Sequence, residues 1–395
     1  MKKRVVNWSG RGHGYSENEI ESVVAAMRTA DPLTQGTYLT EFEKKFCAYL
    51  ESGPAFAVAN CTNALDLSAL LARVGPGDEV VVPAHTFCAT AIPFAHAGAT
   101  ICWADIDPDT RVVSLETIKA VVTSKTKVIV VVHLYGLMAP MPEIMAFAEE
   151  RGILVVEDCA QAIGADIDGQ RAGTFGDYAC FSFHGAKNMS TLGEGGMLVV
   201  KSEEEAKLVP GLRHNGCCGF AGERKQYWKP AMSNVDVDID GVWPYNFCLG
   251  EIQCAVGVAL IDRVEEMNAE RMRRAAKFQQ AVSDYPELSF QTVPDGYRHV
   301  YHLLSARYAG EEYGKSRDRF IASMWEEHGV KVIVQYYPLY RYPLFQAHGS
   351  GSADCPHTDH FFDNMVSFPF HLWMAEDDFD YMIDVTVTTL EAMRK

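Results

Sequence analysis

Short apolar runs alternate with helical patterns along the first half of the chain. The runs are rich in β-branched or aromatic residues and apolar on both faces, which is typical of parallel strands covered by helices. They span 79–82, 99–103, 128–132, 153–156 and 179–183. The segments between them, among them 63–73, 114–123 and 141–151, have helical patterns. Alternating strands and helices predict βαβ units and a mostly parallel sheet flanked by helices, an α/β fold.

The pattern changes in the last third of the chain. Segment 247–278 predicts one long helix. Strand patterns at 302–308 and 330–335 then flank helical patterns at 316–327 and 375–394. We therefore expect a large domain over 1–260 and a smaller α+β domain over 261–395.

Composition and charge exclude several classes of protein. The 395 residues are 48% hydrophobic and 22% charged, as in soluble globular proteins. A formal net charge of −17 argues against nucleic acid and anionic membrane surfaces as partners. No apolar stretch is long enough for a transmembrane helix, and the first residues lack the apolar core of a signal peptide. Small molecules are the expected partners.

The 11 cysteines are scattered and include no Cys-x-x-Cys pair, so no metal site is expected. The vicinal pair Cys217-Cys218 is expected to be reduced. Free cysteines inside apolar runs are typical of a reducing compartment, and we expect a cytoplasmic protein.

Lys187 is the most informative residue of the sequence. It follows the apolar run 179–183 and precedes a glycine-rich turn and a second apolar run at 197–200. This pattern places a lysine where a buried strand opens into a pocket. A lysine shielded from water tends to lose its proton, and a Schiff base with an aldehyde requires a neutral amine. The alternative is an exposed lysine at the end of a strand.

Two further segments carry groups that an aldehyde cofactor with a pyridine ring and a phosphate would need. Asp158 ends a strand, and a carboxylate favours a protonated ring nitrogen. Thr62 and Asn63 open an apolar helix, whose free N–H groups form an anion site. Ordinary helix capping explains all three residues about as well.

Phe87 and Ser182 complete the set. Phe87 follows a strand end, where its ring can stack on a flat cofactor, although a core position is the simpler explanation. Ser182 offers a hydroxyl near the phosphate end, although a bond to nearby backbone is the simpler explanation. Each signal is weak alone, but all of them occur in order along βα units.

Taken together, the sequence resembles the DegT/DnrJ/EryC1/StrS family of fold-type I pyridoxal-phosphate enzymes, the sugar and aminocyclitol aminotransferases. The resemblance runs from residue 15 to the C-terminus. Besides the segments above, it rests on Leu33-Thr34-Gln35-Gly36, Phe42-Glu43-Lys44-Lys45-Phe46, Asp105-Ile106-Asp107, His133-Leu134-Tyr135-Gly136 and Gly193-Glu194-Gly195-Gly196.

The resemblance implies a role for each matched residue. Lys187 would bind pyridoxal 5′-phosphate as a Schiff base and move the proton. Asp158 would pair with the ring nitrogen, Gln161 would lie near the 3′-oxygen, and Phe87 would stack on the ring. Thr62, Asn63 and Ser182 would hold the phosphate. Asn246 would reach the phosphate of the neighbouring subunit, which implies a homodimer with shared active sites.

Two family blocks differ in this chain. The Arg-Met that usually follows the Asn246 block is Cys248-Leu249, and the usual His-Tyr-Pro block is Tyr336-Tyr337-Pro338. Contacts to the acceptor are expected in loops 213–245 and 336–345. His184, His85, Arg213 and His214 have no role that the sequence assigns.

The resemblance implies an aminotransferase that moves an amino group from glutamate or glutamine to a keto-sugar or keto-cyclitol, for an antibiotic or a surface glycan. A sugar dehydratase of the same family is the nearest alternative, but the dehydratases lack the lysine that this chain keeps. A non-catalytic regulatory or binding homologue is the alternative from another class.

Overall fold

A seven-stranded sheet forms the centre of the chain. The computed structural model describes residues 4–217, 228, 239 and 241–394, so most of the loop 213–245, with Cys218, lies outside the described residues. Strand order is β1-β9-β8-β5-β4-β2-β3, and β9 alone runs against the other six. The strands of this sheet are β1 (Ala55–Val58), β2 (Glu79–Pro83), β3 (Thr100–Ala104), β4 (Thr126–Val132), β5 (Leu154–Asp158), β8 (Tyr178–Ser182) and β9 (Gly196–Val200).

Two smaller antiparallel sheets accompany the central one. One has the order β10-β12-β13 and the other β11-β6-β7. Their strands are β6 (Asp166–Ile167), β7 (Gln170–Arg171), β10 (Leu288–Ser289), β11 (Tyr297–Arg298), β12 (Leu304–Tyr308) and β13 (Met365–Phe368). Because β11 pairs with β6, the second of these sheets joins the C-terminal third to the large α/β part.

Helices cover both faces of the central sheet and one side of the C-terminal sheet. They are α1 (Glu17–Thr29), α2 (Thr37–Leu50), α3 (Cys61–Leu71), α4 (Ile92–His96), α5 (Leu115–Lys119), α6 (Met141–Arg151), α7 (Glu203–Ala206), α8 (Val209–Leu212), α9 (Glu251–Leu260), α10 (Val264–Ala281), α11 (Gly310–Tyr313), α12 (Arg317–Glu326), α13 (Pro343–Ala347), α14 (Pro356–Asn364) and α15 (Glu376–Met393). Short 3-10 helices span Cys88–Thr90, Leu134–Gly136, Ile261–Arg263 and Leu339–Arg341. Among the described residues, no helix is both long enough and apolar enough to span a bilayer.

The parallel α/β prediction is confirmed, and two predicted elements need correction. The long helix predicted over 247–278 begins only at Glu251, because Gly250 is extended and Phe247 bonds to the Arg213 carbonyl. It is also divided at the 3-10 turn Ile261–Arg263. The strand predicted over 330–335 is reduced to single bridges of Val330 and Ile333. It does not continue, because the amide of Gln335, two residues on, turns to the Met365 sulfur.

The C-terminal third has an apolar core of its own. Phe278, Phe320, Phe368 and Phe379 from its helices and sheet meet there, and all four are fully buried. Val6, at the other end of the chain, joins this core. The first residues therefore pack with the C-terminal third, while a boundary at residue 260 between two domains stays a proposal.

An aromatic cluster ties α2 to the central sheet. The ring of Phe46 lies 5.0 Å from that of Phe181 and 5.8 Å from that of Phe183, and Phe42 lies 5.4 Å from Phe183. All four rings are fully buried. Since β8 carries Phe181 and leads through Phe183 into the Lys187 loop, this packing fixes the strand that ends at the lysine.

Phe46→Ala is expected to lower the free energy of unfolding by about 3–5 kcal/mol, because it leaves a cavity among rings that cannot collapse into it. Denaturant unfolding followed by tryptophan fluorescence measures the loss. Met27→Ala, at a residue that is 68% exposed, is the matched control. An effect of Phe46→Ala no larger than that of the control contradicts the importance of this cluster.

Candidate active site

The C-terminal ends of the parallel strands meet at one cavity of about 510 Å³. This is the edge of an open α/β sheet at which ligands bind. Asp158 and Ser182 end β5 and β8. Polar or ionisable side chains in the lining include Thr62, Thr86, Thr90, Asp158, Gln161, Ser182, Lys187, Glu194 and His302.

Lys187 lies in the hairpin loop between β8 and β9. The loop is closed by backbone bonds from Phe183 N to Gly195 O at 2.8 Å and from Gly185 N to Gly193 O at 2.9 Å. Within the described residues the Lys187 Nζ has no hydrogen bond or ion pair. Burial lowers the pKa of Lys187, and the charge of Asp158 offsets this only in part. The site thus favours the neutral amine that Schiff-base chemistry requires.

The glycine-rich end of this loop allows close backbone contacts. A Cβ on Gly196 would clash with the backbone of Asn60, immediately before α3. A Cβ on Gly195 would clash with the Thr191 hydroxyl, which donates to the Glu194 carbonyl. These glycines therefore bring the lysine loop against the start of α3.

Asp158 is a buried carboxylate whose orientation is fixed. Thr90 Oγ1 donates to one carboxylate oxygen at 2.8 Å, and the Ala160 N–H donates to the other at 3.1 Å. Burial raises the pKa of Asp158, and the bond from Thr90 opposes that rise. Two donors leave lone pairs on the carboxylate, so it can accept a further proton donor such as a protonated ring nitrogen.

The amide of Gln161 is oriented by a backbone group. Its Oε1 accepts the Tyr135 N–H at 2.8 Å, and Tyr135 is held in a left-handed conformation with φ 61°. Since the oxygen is used, the NH₂ group is the end available to the cavity, and it has no acceptor among the described residues. A free NH₂ donor suits a phenolic oxygen on a ligand ring.

Free donors also lie where α3 begins. The Asn60 side chain caps α3 by accepting the Asn63 N–H at 3.0 Å. Thr62 lines the cavity, and its hydroxyl has no partner among the described residues. Ser182 Oγ accepts the His184 N–H at 3.3 Å, which leaves its own O–H to donate. Two hydroxyls beside a helix N-terminus form a suitable phosphate site.

Three predicted cofactor residues, Asn63, Phe87 and Asn246, lie outside the cavity or at its rim. Asn63 lies outside the lining and its side chain bonds to Asp66. Phe87 lies at the rim, 53% exposed, with its ring 6.0 Å from that of Tyr336. Asn246 lies outside the cavity of its own chain, in a bridge with His214. The roles of all three in cofactor binding stay predictions.

His302 was not singled out in the sequence, yet it lines the cavity. The Asn188 NH₂ group donates to Asn268 Oδ1 and to the Val300 carbonyl, both at 3.1 Å. Asn188 Oδ1 must therefore accept from His302 Nδ1, 3.2 Å away. This chain of amides fixes the tautomer of His302, because its Nδ1 carries the proton and Nε2 carries a lone pair.

Burial lowers the pKa of His302 well below its ordinary value, and the charge of Lys187 adds to this. His302 is therefore a neutral acceptor within electrostatic range of the lysine. Its position after Tyr301 in a strand pattern gave no sequence signal, since Asn188, which orients it, is 114 residues away.

The N-terminal segment closes one wall of the cavity. Trp8 and Ser9 are part of the lining. Gly12 donates to the Gly185 carbonyl at 2.8 Å, and its carbonyl accepts from the fully buried Arg271 at 3.1 Å. A Cβ on Gly12 would collide with the carbonyl oxygen of Lys187. The resemblance begins only at residue 15, so this contact was not expected.

Several other polar residues have structural roles. Arg213 is buried and donates to Glu43 and to the Ala57 carbonyl, so it is not available to an anion. His85 bonds to the Tyr135 hydroxyl at 2.8 Å. His133 bonds to Glu157 at 2.9 Å. His184, in contrast, is exposed and lines the cavity.

One buried group of potential metal ligands, His133, Glu157 and Cys159, occurs among the described residues. The acceptor atoms of His133 and Glu157 are already in use. Besides His133, the Glu157 carboxylate accepts three backbone N–H groups, those of Gly173, Phe175 and Gly176. Burial raises the pKa of Glu157, but the bond from His133 and these amides outweigh it, so the net pKa is lowered. The group therefore stabilises the turn before β8.

A lysine without a partner, a buried carboxylate and a phosphate-type helix start at one sheet edge define a fold-type I pyridoxal-phosphate enzyme. The chain belongs to the DegT/DnrJ/EryC1/StrS aminotransferase family, whose model matches residues 15–386. It is a pyridoxal-phosphate-dependent aminotransferase of the sugar aminotransferase class.

Relatives and solved structures agree with this assignment. The chain is 32% identical over 373 residues to the spore coat polysaccharide biosynthesis protein SpsC of Bacillus subtilis, which covers 93% of both chains. It is 34% identical over 341 residues to a UDP-N-acetyl-3-dehydro-alpha-D-glucosamine 3-aminotransferase of Acidithiobacillus ferrooxidans, with 86% of this chain and 85% of the relative covered. The putative sugar aminotransferase Spr1654 of Streptococcus pneumoniae, in its PLP-form, superposes with a TM-score of 0.86 at 26% identity, with 99% of this chain and all of the other covered.

Gly12→Ala is expected to abolish or strongly weaken the capture of pyridoxal phosphate, because the added methyl group displaces the Lys187 backbone. Gly10→Ala is the matched control, since a Cβ there meets nothing within 4 Å. Titration of each protein with the cofactor, followed by its visible absorbance, measures the difference. Equal capture of pyridoxal phosphate by the two variants contradicts the proposed importance of the Gly12 contact.

Proposed function

We propose that this enzyme transfers an amino group from glutamate or glutamine to a keto-sugar or keto-cyclitol, in the synthesis of an amino sugar or aminocyclitol for an antibiotic or a surface glycan. The observation that carries the proposal is the unpartnered Lys187 amine in the cavity, with its lowered pKa, facing the oriented groups described above. The relative that acts on a UDP-linked 3-dehydro sugar supports a keto-sugar as acceptor.

The free donors and acceptors of the cavity fit the cofactor. Asp158 would hold the ring nitrogen, the Gln161 NH₂ group would hold the ring oxygen, and Thr62 and Ser182 would hold the phosphate. Pyridoxal phosphate supplies the electron sink that lets an amino acid lose its α-proton. The chain itself would supply the base through Lys187, whose pKa is lowered by burial.

His302 adds a possible acceptor for the proton that Lys187 moves. Its Nε2 lone pair would give the Lys187 ammonium an acceptor once the lysine has taken a proton. Because the amide chain from Asn268 holds the Nδ1 proton in place, the imidazole remains an acceptor rather than a competing donor. We propose that His302 orients the lysine and is a positioning residue for proton transfer.

The rest of the polar lining suits a neutral, hydroxyl-rich acceptor. Ser9, His184, Glu194, Gln335 and His371 contribute polar side chains there. No arginine lines the cavity within the described part of the chain, and Cys248 stands where the family usually has one. Hydrogen bonds to sugar or cyclitol hydroxyls are what such a lining offers.

Lys187→Ala is expected to remove the visible absorbance shift of bound cofactor and all amino transfer, because no other described lysine lines the cavity. The test offers the wild-type enzyme glutamate or glutamine, and then a panel of keto-sugars and keto-cyclitols. Loss of the cofactor band with the donor and its return with one acceptor supports the proposal. Full activity in Lys187→Ala contradicts it.

The same panel separates the alternatives. A sugar dehydratase would release water from a sugar without consuming an amino donor, and a binding homologue would show no turnover with any acceptor. Retention of Lys187 favours the aminotransferase over both.

We further propose a cytoplasmic homodimer in which Asn246 serves the site of the neighbouring subunit. Asn246→Ala and Lys187→Ala are each expected to be inactive as homodimers. Their co-expressed heterodimer is expected to regain one intact site, and so about half of the activity of the wild type. Activity is compared after separation by distinct affinity tags. A heterodimer as inactive as its parents, or a monomer in sedimentation, contradicts the shared site.

A further inference from the structure

A second cavity, of about 420 Å³, lies between the loop after β3 and the C-terminal sheet. It shares no lining residue with the Lys187 cavity. Its ionisable and hydroxyl-bearing lining is mostly cationic or neutral, with one carboxylate: Asp109, Arg111, Ser289, Arg307, His357 and His360. A basic cavity is unexpected in a chain with a net charge of −17.

Arg111 is the central feature of this cavity. It is only 7% exposed, and its guanidinium makes no hydrogen bond or ion pair within the described residues. Its Nε is buried without a partner, and its Cζ lies over the face of Phe361, 5.0 Å from the ring centroid. Burial lowers the pKa of Arg111, and the charge of Asp109 offsets this only in part. A buried charge without a partner is costly, which favours a ligand of opposite sign.

The backbone at Arg111 is also unusual. Its φ of 63° lies in the left-handed region, where a side chain other than glycine, asparagine or aspartate is rare. The turn is held by Arg111 N to Asp107 O at 3.0 Å and Asp107 N to Val112 O at 2.8 Å. One oxygen of the nearby Asp107 accepts from Asp109 N and from both donors of Thr110, and the Asp107 charge opposes the lowering of the Arg111 pKa without forming an ion pair with Arg111 among the described residues.

The opposite wall adds further donors. Arg307 on β12 has a distant ion pair with the exposed Glu312 at 3.8 Å and a long contact with His360 at 3.5 Å. The hydroxyl of Ser289 on β10 is buried without a partner. Two guanidinium groups and a free hydroxyl thus converge from separate parts of the chain.

We propose that this cavity binds a phosphate group, as inorganic phosphate or on a small phosphorylated molecule, between Arg111 and Arg307 with Ser289 as a further donor. Guanidinium groups bind phosphate oxygens in pairs of charge-assisted hydrogen bonds. The volume exceeds that of one phosphate, so there is room for an organic substituent. The occupant bridges the β3–α5 loop and the C-terminal sheet. This site is independent of the proposed amino transfer.

The test measures the thermal unfolding of the holoenzyme as inorganic phosphate replaces chloride at constant ionic strength. Saturation with pyridoxal phosphate beforehand occupies the phosphate position beside Lys187. A saturable rise in the unfolding temperature is expected for the wild type. Arg111→Gln is expected to weaken the apparent phosphate affinity by about tenfold or more, as loss of charge-assisted bonds should. Arg319→Gln, at an exposed arginine on α12, is the matched control.

Arg307→Gln provides a second variant on the opposite wall, so the proposal stays testable if Arg111→Gln does not fold. The proposal is overturned if phosphate raises the unfolding temperature of either cavity variant as much as that of the wild type. It is also overturned if the rise does not saturate in the wild type. A phosphomonoester that binds more tightly than inorganic phosphate identifies the organic form as the ligand, and the reverse order identifies the free ion. Activity toward amino acceptors is not used as a readout, so failure here leaves the proposed aminotransferase unaffected.

Discussion

The position of the Lys187 amine depends on backbone contacts that only glycine permits. Gly12 lies against the lysine carbonyl on one side of the loop, and Gly196 lies against the backbone that begins α3 on the other. These contacts hold the lysine loop between the N-terminal segment and the cofactor side of the sheet. The burial that lowers the lysine pKa follows from this confinement. A wider loop would admit water and return the lysine pKa toward its ordinary value.

Much of the fold was predictable because each parallel strand is buried on both faces and so carries a continuous apolar run. Helix α6 has the predicted bounds, Met141–Arg151. The strand prediction for 330–335 was wrong because this segment is also apolar but has too few strand partners. Its backbone bonds go to Val6, Ser367 and Met365 instead of to a continuous neighbour. Apolar pattern alone does not show whether a partner strand is present.

The candidate site was predictable where its residues follow strand ends, as Asp158 and Ser182 do. His302 and Gly12 were not, because their significance comes from contacts with residues more than 100 positions away, Asn188 and Lys187. The pairing of Arg213 with Glu43 also could not be read from the sequence. Local patterns identify groups with suitable chemistry, whereas tertiary contacts decide which of those groups remain free.

The polar lining of the Lys187 cavity comes from different parts of the chain. The residues suited to the cofactor lie between positions 60 and 187, whereas two of the remaining polar lining residues, Gln335 and His371, lie beyond position 300. Substitutions in the late segment can therefore reshape the space for the acceptor without disturbing the groups that suit the cofactor. A lineage built on this scaffold can change its substrate through this late segment while keeping its chemistry.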